Sequence, residues 1–99
     1  MPKVTQMLDA GWTVSIYVNE LGSYSASGRH DKLLVWFRAK ERWRTSMIEA
    51  GWSEEEADYL VEADWDEQGE VVTDDHFPEI ALSRLAYKVH GEFPPEYDQ

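Results

Sequence analysis

The stretch that decides the fold is residues 12–28, with the sequence WTVSIYVNELGSYSASG. Over residues 12–19, apolar and polar side chains alternate with a period of two, which is typical of a half-buried β-strand. Residues 19–22 supply turn chemistry, and residues 23–28 return as a polar partner strand that ends at Gly28. The stretch therefore predicts an antiparallel β-hairpin.

A cationic, aromatic helix is predicted over residues 31–50, directly after the hairpin. Asp31 is a candidate N-cap, and Gly51 is a candidate stop. Apolar side chains recur near one face of this helix: Leu33, Trp36, Phe37, Trp43, Met47 and Ala50. Residues 33–37, with the sequence LLVWF, are β-branched and aromatic enough to form a third strand before a shorter helix instead.

The second half of the chain predicts two more helices. Ser53 and Glu56 have the spacing of a capping box, in which each side chain satisfies a free amide at a helix start, so an acidic helix is predicted over residues 53–64. Its inner side holds Ala57, Leu60, Val61 and either Asp64 or Trp65. Val71 and Val72 are a candidate short strand.

The last helix is predicted over residues 75–90, and residues 91–99 follow as an extended tail. Together these elements predict one α+β domain over residues 1–99. An N-terminal antiparallel β-hairpin or small sheet would pack against about three α-helices.

The composition excludes several classes of functional site. The 99 residues include five Trp, five Tyr and three Phe but no Cys. The absence of Cys excludes disulfides, thiolate metal sites and Cys nucleophiles. No apolar run is long enough to span a membrane, and residues 1–9 lack the apolar core of a signal peptide, so we expect a cytoplasmic protein with no membrane partner.

The charge is divided unevenly along the chain, whose formal net charge is -11. Residues 1–48 hold seven basic and four acidic residues, a net charge of +3. Residues 49–99 hold 16 acidic and two basic residues, a net charge of -14, and between Glu49 and Glu79 there are 13 acidic residues and no Lys or Arg. This polarity is the strongest functional signal in the sequence.

The acidic segment predicts a binding surface for a basic protein. Glu54, Asp58 and Glu62 follow one another at helical spacing, so one face carries a carboxylate about every 5.4 Å. Each like-charge pair costs roughly 0.2–0.5 kcal/mol, which a partner rich in Arg and Lys would relieve. Nucleic-acid-binding surfaces are rich in these residues. The predicted partner-binding residues are Glu54, Glu55, Asp58, Glu62, Asp64, Trp65, Asp66, Glu67 and Glu70.

The simpler alternative is a solvated face that only keeps the protein soluble. Two observations weigh against it. The acidity is concentrated in one half of the chain, and Trp52, Tyr59 and Trp65 lie among the acids, as aromatic anchors do at binding surfaces. The same aromatic residues would also serve as core.

Residues 64–75 suggest a second function, because they resemble the calcium loop of an EF-hand between two predicted helices. The candidate ligands are Asp64, Asp66, Gln68, the Glu70 carbonyl and Asp75. The resemblance departs from the pattern where Gln68 replaces the usual Asp, Asn or Ser, and where Asp75 is short for bidentate ligation. A second loop to pair with it is not visible.

Two other classes of function are not predicted. Residues 38–44 combine four cations with Trp43, as in some nucleic-acid-binding segments. Because the overall negative charge repels phosphate, we expect no direct nucleic-acid binding. We expect these cations to pair instead with the acidic helix, within the monomer or across a homodimer. His30, His76 and His90 lie in no nucleophile turn or zinc motif. We therefore expect neither an enzyme nor a cofactor.

The chain resembles small proteins of phages and mobile elements in three features. These are the strand at residues 12–18, the turn at residues 21–23 and the helix with the sequence FPEIALSRLA at residues 77–86. The layout is loosely similar to HicB-like antitoxin domains. With its size, acidity and lack of Cys, the chain also resembles in type the acidic phage inhibitors of host defence, including anti-CRISPR proteins. That resemblance implies an inhibitor of a host nucleic-acid-binding complex. The HicB-like resemblance implies instead an antitoxin or scaffold protein that binds through the hairpin.

Overall fold

The computed structural model of the chain describes residues 2–93, and in that part it has four helices and three strands. In chain order these are α1 (Val4–Asp9), β1 (Thr13–Val18), β2 (Tyr24–Arg29), α2 (Leu33–Glu49), α3 (Glu54–Asp64), β3 (Glu70–Asp75) and α4 (Pro78–His90). The predicted α+β class is confirmed.

The three strands form one antiparallel sheet in the order β1-β2-β3. β1 and β2 are the predicted hairpin, which is confirmed. The rows Val14–Gly28–Val71 and Ile16–Ala26–Thr73 lie on the face of the sheet that the helices cover. The contact of Thr73 with α4 identifies this face, because its buried hydroxyl donates to the Ala81 carbonyl of that helix at 2.7 Å.

The polar strand β2 lies at the centre of the sheet, where strands are usually apolar. Its small residues allow close packing, and a Cβ at Gly28 would lie 3.0 Å from the Met7 side chain. On the opposite face, Ser25 and Ser27 are buried between the flanking strands. Their hydroxyls donate to carboxylates of Asp74 and Glu70 on β3, so these buried polar groups are satisfied.

The helices pack in a chain of contacts beginning at the sheet. α4 covers β2 and β3, α1 packs against α4 and β1, α2 packs against α4, and α3 packs against α2. The largest fully buried side chains come from four different elements, namely Met7, Leu85, Val61 and Val71. α4 ends as predicted at Gly91, which takes a left-handed conformation (φ 74°).

The structure differs from the predictions at two places in the first half of the chain, namely in α1 and at the start of α2. α1 was not predicted, and it brings the described helices to four rather than about three. Residues 33–37 lie in α2, so the strand alternative is wrong. Asp31 is not the N-cap, because α2 begins after Lys32, and no side-chain cap is present there.

The region between α3 and α4 also differs. β3 spans Glu70–Asp75 and is longer than the predicted Val71 and Val72, since every one of its residues pairs with β2. Because Asp75 still belongs to this strand, α4 begins at Pro78, three residues later than predicted. Residues 94–99 of the predicted tail lie outside the described residues.

The edge strand β1 is more exposed than its alternating pattern predicts. Trp12, directly before it, is buried, and Val14 is half-buried. Ile16 and Val18 remain exposed, because the helices cover mainly β2 and β3. Within residues 2–93, no helix is both long and apolar enough to cross a membrane.

Candidate acidic interaction surface

The acidic helix α3 begins where its capping box predicts. The Ser53 hydroxyl accepts from the Glu56 amide at 3.1 Å, and the Glu56 carboxylate accepts from the Ser53 amide at 3.2 Å. Glu54, Glu55 and Glu56 therefore fill the first turn, where the partial positive charge of the helix N-terminus favours carboxylates.

The two sides of α3 differ sharply. Ala57 and Val61 are buried in the core. Since residues four and three apart share a helical face, Glu55, Tyr59 and Glu62 form a stripe on the side turned away from it. All three are exposed, Tyr59 to 75%.

Trp52, just before α3, extends this stripe and is 42% exposed. A shallow groove of about 300 Å³ runs beside it, lined by Trp52, Glu55, Glu56, Tyr59 and Leu60. We call Trp52, Glu55, Tyr59 and Glu62 the acidic-aromatic face. Its groove combines apolar walls with carboxylates, which suits the aliphatic stem and cationic end of a Lys or Arg side chain.

Asp58 lies at the edge of α3 toward α2, where it is paired inside the protein. The Arg44 guanidinium of α2 donates to the Asp58 carboxylate over 2.6 Å. This hydrogen bond, together with the carboxylate's charge, raises the pKa of Arg44 above its usual value. Arg44 therefore neutralises part of the predicted row of carboxylates at Glu54, Asp58 and Glu62. The sequence predicts this pairing of the cationic helix with the acidic helix, within the monomer or across a homodimer, and this ion pair forms within one chain.

Three other predicted partner-binding carboxylates are engaged in contacts within the protein. Asp64 accepts from the Lys88 ammonium of α4 at 2.7 Å. Asp66 accepts from the amides of Gln68 and Glu70 and so closes the turn before β3. Glu70 accepts from the Ser27 hydroxyl. These acids stabilise the junction of α3 and the sheet.

Trp65, one of the predicted partner-binding residues, is buried and is not part of the exposed surface. It is only 3% exposed and packs edge-on against Trp36, with ring centroids 6.2 Å apart. An isolated bridge between Trp65 and Val71 explains the burial, since it turns the chain back onto the sheet directly after α3.

Four exposed acids of the predicted set take part in none of these contacts: Glu54, Glu55, Glu62 and Glu67. Glu54 lies near enough to Arg44 to contribute to the shift of its pKa. Glu55, Glu62 and Glu67 form no hydrogen bond or ion pair with any residue of the described part of the chain.

The EF-hand interpretation of residues 64–75 is wrong in its structural premise. The second half of the segment forms β3, which pairs with β2 along its whole length, so a strand stands where the second half of a calcium loop would lie. The carboxylates of Asp64 and Asp75 are paired with Lys88 and Arg84 instead of converging. No group of three or more His, Asp or Glu side chains within residues 2–93 is placed to hold a metal ion.

The basic aromatic run at residues 38–44 is used inside the protein. Arg42 donates to the Val89 carbonyl at 3.0 Å, and the Lys40 ammonium lies 5.1 Å from the centre of the Trp36 ring. Trp43 is buried and packs against Phe93. The run therefore offers no exposed tryptophan on which a nucleic-acid base could stack.

His30, one of the three histidines, has a structural position. Its Nε2 lies 3.0 Å from the Ala10 carbonyl, its Nδ1 accepts from the Lys32 amide, and its ring meets Trp12 edge-on. It ties α1 and β1 to the start of α2.

Sequence reasoning predicted the carboxylates of the acidic-aromatic face but not the groove. Leu60 packs against the core, as its assignment to the inner side of α3 predicts, but it is only half-buried and also lines the groove. The distance of Trp52 from the core depends on how α2 and α3 pack, which no local pattern specifies. Comparisons of the chain with protein-family models, with curated proteins and with solved structures found no match.

Proposed function

We propose that the protein is a small binding protein whose acidic-aromatic face occupies a basic, nucleic-acid-binding surface of a partner complex. The setting we propose is inhibition of host defence by a phage or mobile element, in the host cytoplasm. The role is one of binding and not of catalysis.

The groove beside Tyr59 is the observation that carries this proposal. Two large aromatic side chains, Trp52 and Tyr59, are exposed between carboxylates, although the other four tryptophans of the chain are buried in the core. Exposed aromatics of this kind are enriched at the centres of binding interfaces. A purely solubilising face would need the charges but not the aromatic rings.

The charge pattern supports the same proposal. Asp58 and Asp64 are neutralised by Arg44 and Lys88, whereas Glu55 and Glu62 have no cation within the described residues. Unrelieved repulsion on one face lowers stability, and a cationic partner would remove it. Association driven in this way weakens as salt is added.

The test is affinity capture from host lysate followed by release with nucleic acid. We expect the immobilised protein to retain a nucleic-acid-binding complex, and we expect added duplex DNA or RNA to elute it. The variant Glu55→Gln/Glu62→Gln removes two charges at nearly constant shape, and Tyr59→Ala removes the aromatic anchor. Each should reduce capture at least about tenfold.

The matched control is Glu20→Gln/Glu79→Gln, which changes net charge equally at two exposed acids away from this face. Capture by the control should equal that of the unaltered protein. If both double variants lose capture equally, only net charge matters and the proposed face is wrong. If nucleic acid does not release the complex, the protein does not occupy a nucleic-acid-binding surface.

A further inference from the structure

The free edge of β1 is a second surface that the proposed function does not use. Among residues 2–93, β1 pairs with β2 alone, so it forms an edge of the sheet in this part of the chain. Its sequence, TVSIYV, has no charged residue and no Pro. Edge strands normally carry such features or a bulge to prevent pairing with other chains.

The pairing with β2 determines which backbone groups of β1 are free. The Asn19 amide donates to the Ser23 carbonyl at 2.8 Å, so residues 19 and 23 are a hydrogen-bonded pair. Because such pairs alternate along an antiparallel ladder, Thr13, Ser15 and Tyr17 point their backbone groups toward β2. Val14, Ile16 and Val18 then point theirs toward the open edge.

These free groups are complementary to those of a second β1 strand. In an antiparallel pair centred on Ile16, Ile16 lies opposite Ile16 of the other copy, and Val14 lies opposite Val18. All three positions that offer free amides and carbonyls on one strand meet the same three positions on the other. Directly opposite residues also share a face of the sheet, so the apolar rows of the two copies join.

The side chains at this edge are suited to such contact. Val18 is 62% exposed, and Ile16, Tyr17 and the turn residue Leu21 are exposed as well. Pairing the edges would bury Ile16 against Ile16 and Val18 against Val14 of the other copy, where the helices of a single copy leave Ile16 and Val18 uncovered.

The charge distribution favours a second copy over a basic partner at this edge. The acidic helix α3 packs against α2 and β3, and β3 is the edge of the sheet opposite β1. Two copies joined at β1 therefore keep their acidic surfaces apart despite a net charge of -11 each. A basic partner would find in residues 12–28 only the carboxylate of Glu20.

We propose that two copies of this chain associate through antiparallel pairing of β1, in the register centred on Ile16, to form a continuous six-stranded sheet. This proposal is independent of the proposed function, because β1 lies at one edge of the sheet, whereas α3, which carries the acidic-aromatic face, contacts β3 at the other edge.

The first test is the mass of the protein in solution, measured by sedimentation equilibrium over a range of concentrations. We expect a reversible monomer–dimer equilibrium. Val18→Lys places a charge at the edge and should raise the dissociation constant at least about tenfold. Leu34→Lys, at a side chain of similar exposure (59%) on α2, is the control and should leave it unchanged.

The second test locates the register. Since the chain has no Cys, a single Ser15→Cys change provides one thiol for each copy. In the proposed register, Ser15 lies opposite Tyr17 of the other copy, so the two thiol-bearing residues are diagonal neighbours about 7–8 Å apart. A short bismaleimide should link them efficiently, and it should not link the control Ser83→Cys on the exposed side of α4.

Two results would overturn the proposal. One is a monomeric mass at every concentration the protein reaches. The other is a dimer that Val18→Lys and Leu34→Lys affect equally, or in which Ser15→Cys and Ser83→Cys cross-link alike, since either places the interface elsewhere. Circular dichroism of each variant confirms that the fold is retained.

Discussion

Gly69 explains at the scale of one residue why residues 64–75 resemble a calcium loop without being one. Its φ is +89°, and a Cβ there would lie 2.9 Å from the His30 carbonyl oxygen. The Gly69 carbonyl also accepts from the His30 amide. A glycine is required at this position because the turn lies against the backbone that leads into α2, and no metal is needed to account for it.

The variant Gly69→Ala should therefore destabilise the protein by more than the left-handed backbone alone explains, which is roughly 1–2 kcal/mol. Gly22→Ala is the matched control, because Gly22 also has a positive φ (+81°) but nothing within 4 Å of a Cβ. Chemical denaturation measures both. Equal losses of unfolding free energy would show that the contact with His30 carries no weight.

His90 gives the stability a dependence on pH. Burial lowers the pKa of His90 from 6.5, the nearby Arg42 charge lowers it further, and Glu92 partly opposes both effects. Because the folded protein holds a proton less tightly than the unfolded chain, stability falls as the pH drops below 6.5 toward the lower folded pKa.

We expect His90→Gln, which cannot titrate, to lack this part of the pH dependence. The measurement is the unfolding free energy of both proteins above and below pH 6.5. The unaltered protein should lose more stability on acidification than the variant. Parallel curves would mean that the imidazole is as easily protonated in the folded state as in the unfolded chain.

Among the elements, α3 was the most predictable and α1 the least. The capping box of Ser53 and Glu56 is a local signal that is present in the sequence itself, and the helix begins where it predicts. α1 has only six residues, and its stability depends on tertiary contacts such as the burial of Met7. Its local signal is weak, because Gln6 accepts from the Lys3 amide at 2.8 Å but the N-cap residue is a Lys. β3 was underestimated for the same reason, because its polar residues owe their strand geometry to pairing with β2.

Within the candidate site, too, some features could be predicted from local patterns and others could not. The exposure of Glu55, Tyr59 and Glu62 follows from helical periodicity once Ala57 and Val61 are assigned to the core. The burial of Trp65 and the pairing of Asp58 with Arg44 could not be predicted, because each depends on where a distant element packs.

At the scale of elements, the start of α3 can be weakened without touching its exposed face. Ser53→Ala removes the hydroxyl that accepts from the Glu56 amide, and it should cost about 1 kcal/mol of unfolding free energy. Ser83→Ala, at an exposed position within α4, is the control and should be neutral or slightly stabilising. A neutral effect of Ser53→Ala in thermal denaturation would mean that the cap does not hold the helix start.

For the molecule as a whole, repulsion among carboxylates should outweigh the few attractive pairs. The net charge is -11, and the exposed pair of Arg44 and Asp58 is of a kind that contributes little. We therefore expect the melting temperature at neutral pH to rise as monovalent salt is added, because salt screens the repulsion.

The variant Glu62→Gln should be more stable than the unaltered protein at low salt, by a few tenths of a kcal/mol, and less sensitive to salt, because Glu62 follows Asp58 by four residues on α3 and lies outside the first turn, where carboxylates are favoured. A melting temperature that falls with salt would indicate that attractive pairs dominate. A gain in stability on neutralising Glu62 would mean that its charge is retained at a cost to folding, as is common for residues that serve binding.

Competition at the partner's nucleic-acid site tests whether the acidic-aromatic face occupies that site. The captured complex is mixed with labelled nucleic acid, and its binding is measured by fluorescence anisotropy as the protein is added. Our account predicts that the unaltered protein and Glu20→Gln/Glu79→Gln displace the nucleic acid alike, whereas Glu55→Gln/Glu62→Gln requires at least about tenfold more protein. Equal displacement by all three proteins, or none by any, would contradict it.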